Sequence, residues 1–551
     1  MARKYRILAD FTADLLKPIL LKQLPGSDVN VAPYGQVFQG LKERPATAET
    51  LVVFSRVENT LPSFQALSRF EAVDIAALDR DVDFFASELR EAARHQETVL
   101  VFSWAMPLAV RGHGMADYRP GQGLRYAVNR ANNRLADQLA DVNNVFLLDT
   151  ERLLMNFEAS ATNTRFWYAG KVPFTLPFFD VCAREIAAAI HGLSGTSRRL
   201  IVVDLDNTLW GGILGDVGWE GLKLGGHDHV GEAHVDFQHA LKALTRRGII
   251  LALASKNYES NALEAIEKHP EMVLRKDDFA CWRINWQDKA QNIIEIAKAV
   301  NLGLASVVFL DDNPAERARV REALPDVFVP EWPEDPTDYT RALHALTCFD
   351  LPTLSDEDKT RAAMFVVERA RQELQQNAGS EEDWLRSIDM KIQIEPLNSA
   401  NQARIVQLFN KTNQFNLATR RANENELATW VAEGDRYLWG FRVSDRFGDT
   451  GLTGIVTLDV RGDEAEVVDF IMSCRVMGRK IEEAMLSVAL AKAAERGAKL
   501  GFARFQPTKR NQPMQEFLKR SGLFEDEENL YRWNLESVYP LPNFLTISLD
   551  A

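Results

Sequence analysis

Asp204 and Asp206 directly follow a short apolar run, and Thr208 comes two residues later. The run Leu200–Val203 is typical of a strand buried in a parallel sheet, and ligands of such sheets bind beyond the carboxyl ends of the strands. Two carboxylates that leave a buried strand together repel each other and lose hydration, so they favour a cation. Oxygen ligands of this kind suit Mg²⁺. The spacing therefore predicts a magnesium site.

The roles of the three side chains follow from this placement. Asp204 is predicted to be a nucleophile and a metal ligand. Asp206 is predicted to offer its backbone carbonyl to the metal and its side chain as a general acid and base. Thr208 is predicted to brace the turn and is counted among the substrate-binding residues. In the alternative interpretation the two aspartates only cap a turn, and no cation is needed.

A second polar cluster, Ser255, Lys256 and Asn257, ends the apolar run at residues 249–254. A hydroxyl and backbone N–H groups at the start of a helix are suited to a phosphoryl oxygen. These three residues are therefore predicted to bind the substrate's phosphoryl group, with Ser255 also counted among the catalytic residues.

Two more clusters follow in chain order. Lys289 opens a predicted helix and is expected to neutralise charge that develops on a phosphoryl group. Asp311 and Asp312 end the apolar run at residues 306–310, where they are expected to complete the metal shell. Four clusters at successive strand ends favour chemistry over the turn-capping alternative.

Composition limits the class of protein. The chain has 551 residues, with 64 Lys and Arg against 78 Asp and Glu, hence a formal charge of −14. This charge argues against a nucleic-acid or anionic-membrane partner. The four cysteines form no CxxC pair, and no apolar stretch is long enough to span a bilayer. We therefore expect a cytoplasmic protein without membrane or nucleic-acid partners.

Periodicity and breakers predict an α/β chain of several domains. The segments are predicted to be a doubly wound parallel-sheet domain at residues 1–195, a parallel-sheet catalytic core at 196–340, a helical linker at 341–388 and an α+β domain at 389–551. A small polar stretch marks the first boundary and a proline-rich stretch the second. Helices are predicted at residues 81–95, 339–377 and 478–496. Strands are predicted at residues 51–54, 99–102, 145–148, 200–203, 249–254, 306–310, 391–394, 437–443, 454–460 and 465–471.

The four clusters resemble the haloacid-dehalogenase (HAD) phosphotransferase superfamily, whose pattern is DxDxT, then Ser, Lys and a terminal Asp pair. Further stretches resemble its FkbH-like family, of subfamily IIIC: residues 32–38, 166–175, 204–212, 221–225, 280–286, 309–317 and 471–479. This resemblance implies an enzyme that takes 1,3-bisphosphoglycerate, removes phosphate and loads the glyceryl group onto the phosphopantetheine thiol of an acyl carrier protein. Such enzymes serve polyketide biosynthesis.

One position departs from that family. Its members often carry Cys just before the Ser-Lys-Asn cluster, whereas this chain has Ala254. If a protein thiol carries the acyl group, Cys281 and Cys474 are the candidates, and Cys474 is predicted to be the catalytic one. In the alternative interpretation each is a small buried hydrophobe.

The C-terminal segment resembles a GNAT acyltransferase. That resemblance implies substrate binding by Arg475, Gly478 and Asn511, in a loop and helix that would hold coenzyme A or a pantetheine arm. Lys480 stands where that loop usually has a small residue, which disfavours coenzyme A. A structural domain without a ligand is the alternative.

The N-terminal segment resembles an SGNH-hydrolase domain, but Asp10 and Thr12 stand where a nucleophilic Ser is expected, and no Asp-x-x-His pair occurs near Trp167. We expect a degenerate binding or scaffolding domain, with hydrolysis by Thr12 as the lesser alternative. His227, His229 and His234 are expected to be solvated histidines of a polar loop, although two of them near a metal is the alternative.

Two other functions remain open at this point. One is a phosphatase or phosphotransferase of another small metabolite, in polysaccharide or secondary metabolism. The other is a coenzyme-A-dependent acyltransferase whose HAD domain is regulatory.

Overall fold

The computed structural model describes residues 3–107, 110–155, 157, 160–226, 228–352, 367, 369, 371, 374, 379–412, 414–473, 476–508, 511–522, 524–527, 529–537 and 539–549. The chain divides into two compact units, Met1–Phe365 and Val366–Ala551. Within the described ranges, no helix combines the length and apolar character needed to cross a membrane.

The first unit contains two separate parallel sheets. The N-terminal sheet has the strands β1 (Lys4–Ala9), β2 (Asp28–Val31), β3 (Thr50–Phe54), β4 (Thr98–Phe102) and β5 (Val145–Leu148). Their order is β2-β1-β3-β4-β5, so the chain reverses direction across the sheet between β1 and β3. The helices around it are Leu16–Gln23, Val37–Lys42, Val57–Thr60, Pro62–Ser68, Ile75–Ala93, Leu124–Leu139, Thr150–Met155, Thr164–Gly170 and Leu176–Leu193.

Apolar side chains cover both faces of this sheet. Leu51 and Val53 belong to the core on one face, and Val52 and Phe54 belong to the core on the other. Successive residues of a strand point to opposite faces, so a continuous apolar run is what a sheet with helices on both sides requires. The predicted doubly wound fold is confirmed.

The second sheet has the strands β6 (Leu200–Val203), β7 (Ile250–Ser255), β8 (Cys281–Ile284) and β9 (Val307–Leu310). They are all parallel, in the order β8-β7-β6-β9. The accompanying helices are Leu214–Val217, His229–Arg246, Glu259–Lys268, Lys289–Ala299, Pro314–Ala323 and Tyr339–His344. Because β6 lies between β7 and β9, the residues that follow these three strands emerge side by side at one edge.

The second unit is an α+β fold, as predicted. Its strands are β10 (Lys391–Pro396), β11 (Phe415–Asn416), β12 (Asp435–Asp445), β13 (Gly448–Arg461), β14 (Glu464–Met472), β15 (Leu500–Arg504), β16 (Phe524–Glu527), β17 (Leu530–Asn534) and β18 (Thr546–Leu549). The sheet runs β16-β17-β15-β14-β13-β12-β10-β18, and β11 also pairs with β14. Its helices are Glu381–Ser387, Gln402–Lys411, Glu424–Ala432, Ile481–Glu495 and Gln512–Arg520.

One continuous helix over residues 339–377, as predicted, is wrong at residues 345–352. The helix Tyr339–His344 ends there, and a short 3₁₀ turn follows at Thr347–Phe349. Val367, Arg369, Arg371 and Leu374 are helical, and the other residues of 353–377 lie outside the described ones. Phe349 is buried in the core of the second sheet, and its carbonyl accepts a hydrogen bond from Arg247. Tertiary packing therefore overrides helix propensity here.

Candidate active site

Asp204 begins the site at the carboxyl end of β6. Its backbone N–H donates to the carbonyl of Leu310 (3.0 Å), which extends the β6 and β9 pairing by one residue. The Asp204 side chain is buried. Its Oδ1 lies 3.0 Å from Nζ of Lys289 and accepts no hydrogen bond of good geometry from the described residues. A buried carboxylate with spare lone pairs is suited to a cation.

Lys289 is the first residue of the helix Lys289–Ala299 and is buried between two carboxylates. Its Nζ donates to Oδ2 of Asp311 at 2.6 Å as well as facing Asp204. Burial alone would lower the pKa of Lys289, but the charges of Asp204 and Asp311 outweigh it and raise the pKa above its ordinary value. Lys289 therefore carries a fixed positive charge at the edge of the sheet.

Asp311 and Asp312 complete an acidic cluster with Asp204. One carboxylate oxygen from each of the three lies within 4.8 Å of the others. Burial and the nearby charge of Asp204 raise the pKa of Asp311, although Lys289 opposes the shift. Burial and Asp204 also raise the pKa of Asp312. One ammonium cannot compensate three carboxylates, and an oxygen-only donor set of this size fits Mg²⁺.

The Asp206 side chain is held by three hydrogen-bond donors outside that cluster. Its Oδ1 accepts hydrogen bonds from Nε1 of Trp210 (2.9 Å) and the backbone N–H of Leu214 (3.2 Å), and its Oδ2 accepts one from Nδ2 of Asn257 (3.0 Å). Burial raises the pKa of Asp206, and these donors only partly offset it. A raised carboxyl pKa is what a proton donor requires.

The second predicted cluster lies at the end of the neighbouring strand. Ser255 is the last residue of β7 and is buried, and Asn257 reaches Asp206 as just described. The Lys256 ammonium instead points to Glu316, whose Oε1 is 2.6 Å away. The structure therefore brings Ser255 and Asn257 to the acidic edge, and pairs Lys256 with a carboxylate of the helix Pro314–Ala323.

Thr208 braces the turn, as its position predicts, and substrate binding by Thr208 stays a prediction. Its hydroxyl donates to Oδ1 of Asp312 (3.2 Å) and accepts from the backbone N–H of Asp312 (3.1 Å). These two bonds join the turn after β6 to the turn after β9. Asn207 is in the left-handed region at φ 54°, and its Oδ1 accepts from the N–H of Gly212.

The expectation for His234 is wrong. His234 lies inside the helix His229–Arg246, fully buried, with Nδ1 3.1 Å from the carbonyl of Thr208. Burial lowers its pKa to about 4. His229 begins that helix and is exposed, and His227 lies outside the described residues. The helix places His234 under the Thr208 turn, where it supports the site as a neutral ring.

Two supporting residues escaped the sequence reasoning. Arg317 lies in the first turn of the helix Pro314–Ala323, and its Nη1 donates to the carbonyls of Asp311 (2.8 Å) and Asp312 (2.6 Å). The hydroxyl of Tyr339 donates to the carbonyl of Asn207 (3.1 Å). In the sequence, Arg317 could have been found by its position six residues after Asp311, whereas no local pattern indicates a role for Tyr339.

The candidate thiols differ in position. Cys281 is the first residue of β8, so it lies at the amino end of a strand whose carboxyl end, Ile284, leads to Lys289. Three residues of strand separate the two ends by roughly 10 Å. This placement disfavours an acyl carrier role for Cys281 at the acidic edge. Cys474 lies outside the described residues.

The predicted substrate-binding loop of the second unit is seen in part. Arg475 lies outside the described residues. Gly478 and Lys480 both have positive φ, 76° and 61°, just before the helix Ile481–Glu495. Asn511 is fully buried, and its amide donates to the carbonyls of Asn416 and Gln506 and accepts from Thr508. Its observed role is to hold the chain around it, and substrate binding by Asn511 stays a prediction.

Thr12, which follows β1, makes two hydrogen bonds to backbone carbonyls. Its hydroxyl donates to the carbonyl of Gly170 (2.7 Å), and its N–H donates to the carbonyl of Lys171. The hydroxyl thus has a structural partner and is not poised against a base.

No family model matches the chain, and a search of curated proteins finds no similar one. Among solved structures, the chain is similar to the N-terminal part of BF1531 from Bacteroides fragilis, described as containing a phosphatase domain complexed with Mg. The identity is 28% and the TM-score 0.58, over 64% of this chain and 95% of that one. The parallel-sheet core with its acidic strand ends has the fold of a HAD phosphatase domain.

Acetyltransferases also match the C-terminal region. One is a protein from Desulfovibrio desulfuricans assigned to the GNAT family, with 11% identity and a TM-score of 0.22 over 26% of this chain and 99% of that one. Another is the ribosomal-protein-S18-alanine N-acetyltransferase from Escherichia coli, with 10% identity and a TM-score of 0.21 over 28% and 97%. Scores at this level support no functional conclusion.

Proposed function

We propose that the chain is a Mg²⁺-dependent enzyme of HAD type that removes phosphate from a phosphorylated small molecule. The observation that carries this proposal is the cluster of Asp204, Asp311 and Asp312, whose carboxylate oxygens lie within 4.8 Å of one another beside the buried Lys289. The similarity to a phosphatase domain complexed with Mg supports the same function.

Asp204, Asp311, Asp312 and the backbone carbonyl of Asp206 would hold the ion. When bound, Mg²⁺ would supply positive charge that draws substrate phosphate oxygens into the site and offsets charge developing on them. This donor set fits the ion because two buried carboxylates and the half-buried Asp312 share one ammonium and retain free oxygen lone pairs.

The chain's own groups divide the work of phosphoryl transfer. The Asp204 carboxylate attacks phosphorus, and the bond from phosphorus to the leaving oxygen breaks. Asp206 gives that oxygen a proton and then takes one from the water that hydrolyses the aspartyl phosphate. Lys289 neutralises charge on the phosphoryl oxygens, and Ser255 donates to one of them.

We further propose a specific substrate and acceptor, on the resemblance to FkbH-like enzymes. In 1,3-bisphosphoglycerate the acyl phosphate is an activated acyl donor, so a pantetheine thiolate can attack its carbonyl carbon and expel phosphate. The product is a thioester of the acyl carrier protein, and the remaining phosphate ester is hydrolysed at Asp204. Because residue 254 is Ala, the acceptor thiol is taken to be that of the carrier.

The test is a reaction of the full chain with 1,3-bisphosphoglycerate, Mg²⁺ and a holo acyl carrier protein. We expect Mg²⁺-dependent phosphate release together with a glyceryl mass increase on the carrier by intact-mass spectrometry. Asp204→Asn should abolish both, whereas Asp326→Asn, an exposed aspartate of the same unit, should change neither. Phosphate release with an unmodified carrier would refute the acyl transfer, and undiminished release by Asp204→Asn would refute the phosphatase.

A further inference from the structure

Two aromatic side chains form a pair at the edge of the second sheet where the acidic cluster lies. Tyr258 comes three residues after Ser255, the last residue of β7, and Trp286 comes two residues after Ile284, the last residue of β8. Their ring centres are 5.7 Å apart and their planes meet at 71°, which is an edge-to-face arrangement. Because β7 and β8 are parallel neighbours, the pair joins two adjacent strand ends.

Both rings face solvent to an unusual degree for their size. Tyr258 is 64% exposed and Trp286 is 65% exposed. The nearby Trp282, in contrast, packs against the core of this domain, and its Nε1 donates to Oε1 of Glu259 (2.9 Å). Large aromatic side chains are normally well buried, and exposed ones are enriched where a protein binds something else. The Tyr258 and Trp286 rings therefore favour a role in binding over a role in the core.

The loops that carry exposed apolar side chains are the same loops that hold Asp206. Asn257, immediately before Tyr258, donates its Nδ2 to Oδ2 of Asp206 (3.0 Å). The N–H of Leu214 donates to the other oxygen, Oδ1 (3.2 Å), and Ile213, immediately before it, is half-exposed. Each oxygen of Asp206 is thus held by a residue whose neighbour in the chain presents an apolar side chain to solvent.

The chemistry of the site decides which part of a substrate meets these side chains. A proton donor must lie within hydrogen-bond reach of the leaving oxygen, so that oxygen lies beside Asp206. The attacking and leaving oxygens are roughly in line across phosphorus, so the rest of the leaving group extends away from Asp204. It therefore extends from the buried acidic cluster towards the exposed loops.

The charged side chains of these loops already form ion pairs. The Lys256 ammonium lies 2.6 Å from Oε1 of Glu316, and Nη2 of Arg319 lies 2.8 Å from Oδ2 of Asp288. The loops after β7 and β8 therefore offer a leaving group apolar surface more readily than charge.

We propose that Ile213, Tyr258 and Trp286 bind an apolar body on the leaving group, so that the site prefers phosphate monoesters whose alcohol carries such a body. This preference depends on the phosphatase proposed above and narrows its substrate class. A phosphoglyceryl thioester meets the requirement, because its pantetheine arm has an apolar gem-dimethyl group, whereas free 3-phosphoglycerate has only polar groups. Hydrolysis of the phosphate ester therefore follows acyl transfer in this scheme.

The test compares 2-phenylethyl phosphate with ethyl phosphate, whose alcohols have similar acidity and differ by one phenyl ring. Phosphate release by the full chain with Mg²⁺ gives kcat/KM for each ester. In the unaltered chain we expect kcat/KM to be at least about tenfold higher for 2-phenylethyl phosphate, because its ring packs against aromatic side chains. In Trp286→Ala, and in the double variant with Tyr258→Ala, the ratio of the two values should fall to about threefold or less. Trp286→Phe keeps a ring and should retain at least about half of the ratio.

The matched control is Tyr118→Ala, which removes an exposed aromatic side chain between β4 and β5 and should change neither value of kcat/KM. A variant that is merely damaged loses activity towards both esters, so the ratio reports the contact with the ring. Equal kcat/KM for the two esters in the unaltered chain, or an undiminished ratio in the double variant, would overturn the proposal and leave the phosphatase standing. Absence of Mg²⁺-dependent hydrolysis of both esters would refute the phosphatase and this preference together.

Discussion

Replacing Lys289 with Met would remove the one ammonium that the acidic cluster contains among the described residues. Nζ of Lys289 lies 2.6 Å from Asp311 and 3.0 Å from Asp204, and the three side chains are 4%, 0% and 8% exposed, respectively. Methionine has a similar length and no charge, so Lys289→Met leaves two buried carboxylates with only each other and Asp312 nearby. We expect the domain to lose stability in the absence of Mg²⁺.

The size of the loss follows from the burial of the pair. Removing one partner of a buried ion pair costs about 3–5 kcal/mol, because the remaining charge stays buried and uncompensated. That free energy corresponds to an increase in the equilibrium constant for local opening of roughly a hundredfold to several thousandfold. Bound Mg²⁺ gives the carboxylates a cation again, and at about 100 times its Kd it restores about 2.7 kcal/mol.

Hydrogen exchange measures this effect at the strands concerned. The chain has several domains and need not unfold in one step, whereas amide exchange in β6 and β9 reports the local free energy of opening. In EDTA, we expect the amides of β6 and β9 to exchange at least a hundredfold faster in Lys289→Met than in the unaltered chain. Saturating Mg²⁺ should restore more than half of the lost free energy of opening.

Lys242→Met provides a matched control. Lys242 also pairs with a carboxylate, Asp278 at 2.9 Å, but it is 31% exposed, so its loss should cost less than about 1 kcal/mol and show no dependence on Mg²⁺. Exchange in Lys289→Met within tenfold of the unaltered chain in EDTA would refute the reasoning. An equal loss of stability in Lys242→Met would also refute it, as would a failure of Mg²⁺ to restore stability in Lys289→Met.

Two further variants test the residues that support the site. Burial holds the pKa of His234 at about 4 against 6.5 in the unfolded chain, so its contribution is present above pH 6.5 and is lost as the pH falls towards 4. Between pH 7 and pH 5 the free energy of opening at β6 should fall by about 2 kcal/mol more in the unaltered chain than in His234→Asn. Arg317→Leu should weaken Mg²⁺ binding about 10-fold to 100-fold by calorimetry, because Asp311 and Asp312 lose the guanidinium that holds their carbonyls.

Each of these variants has a control of the same residue type. His344→Asn changes an exposed histidine at the end of the helix Tyr339–His344 and should retain the pH dependence of the unaltered chain. Arg319→Leu removes a half-exposed guanidinium that pairs with Asp288, and it should leave Mg²⁺ affinity unchanged. Equal effects of a variant and its control would contradict the supporting role.

The proximity of several site residues could be predicted from the sequence because each of them follows an apolar run. Parallel strands bring their carboxyl ends to one edge, so the sequence alone predicts that Asp204, Ser255 and Asp311 are neighbours. The periodicity of apolar residues predicted the doubly wound N-terminal sheet. Residue type and spacing along one segment are enough for such predictions, since the strand period and the sheet edge leave few alternatives.

Only the tertiary structure decided which groups pair. Nothing local predicts that Lys289 lies between Asp204 and Asp311, that His234 is buried beneath Thr208, or that Phe349 ends a predicted helix by packing into the core. These contacts join segments far apart in the chain, so their geometry depends on how whole elements pack, and local propensity carries no information about it.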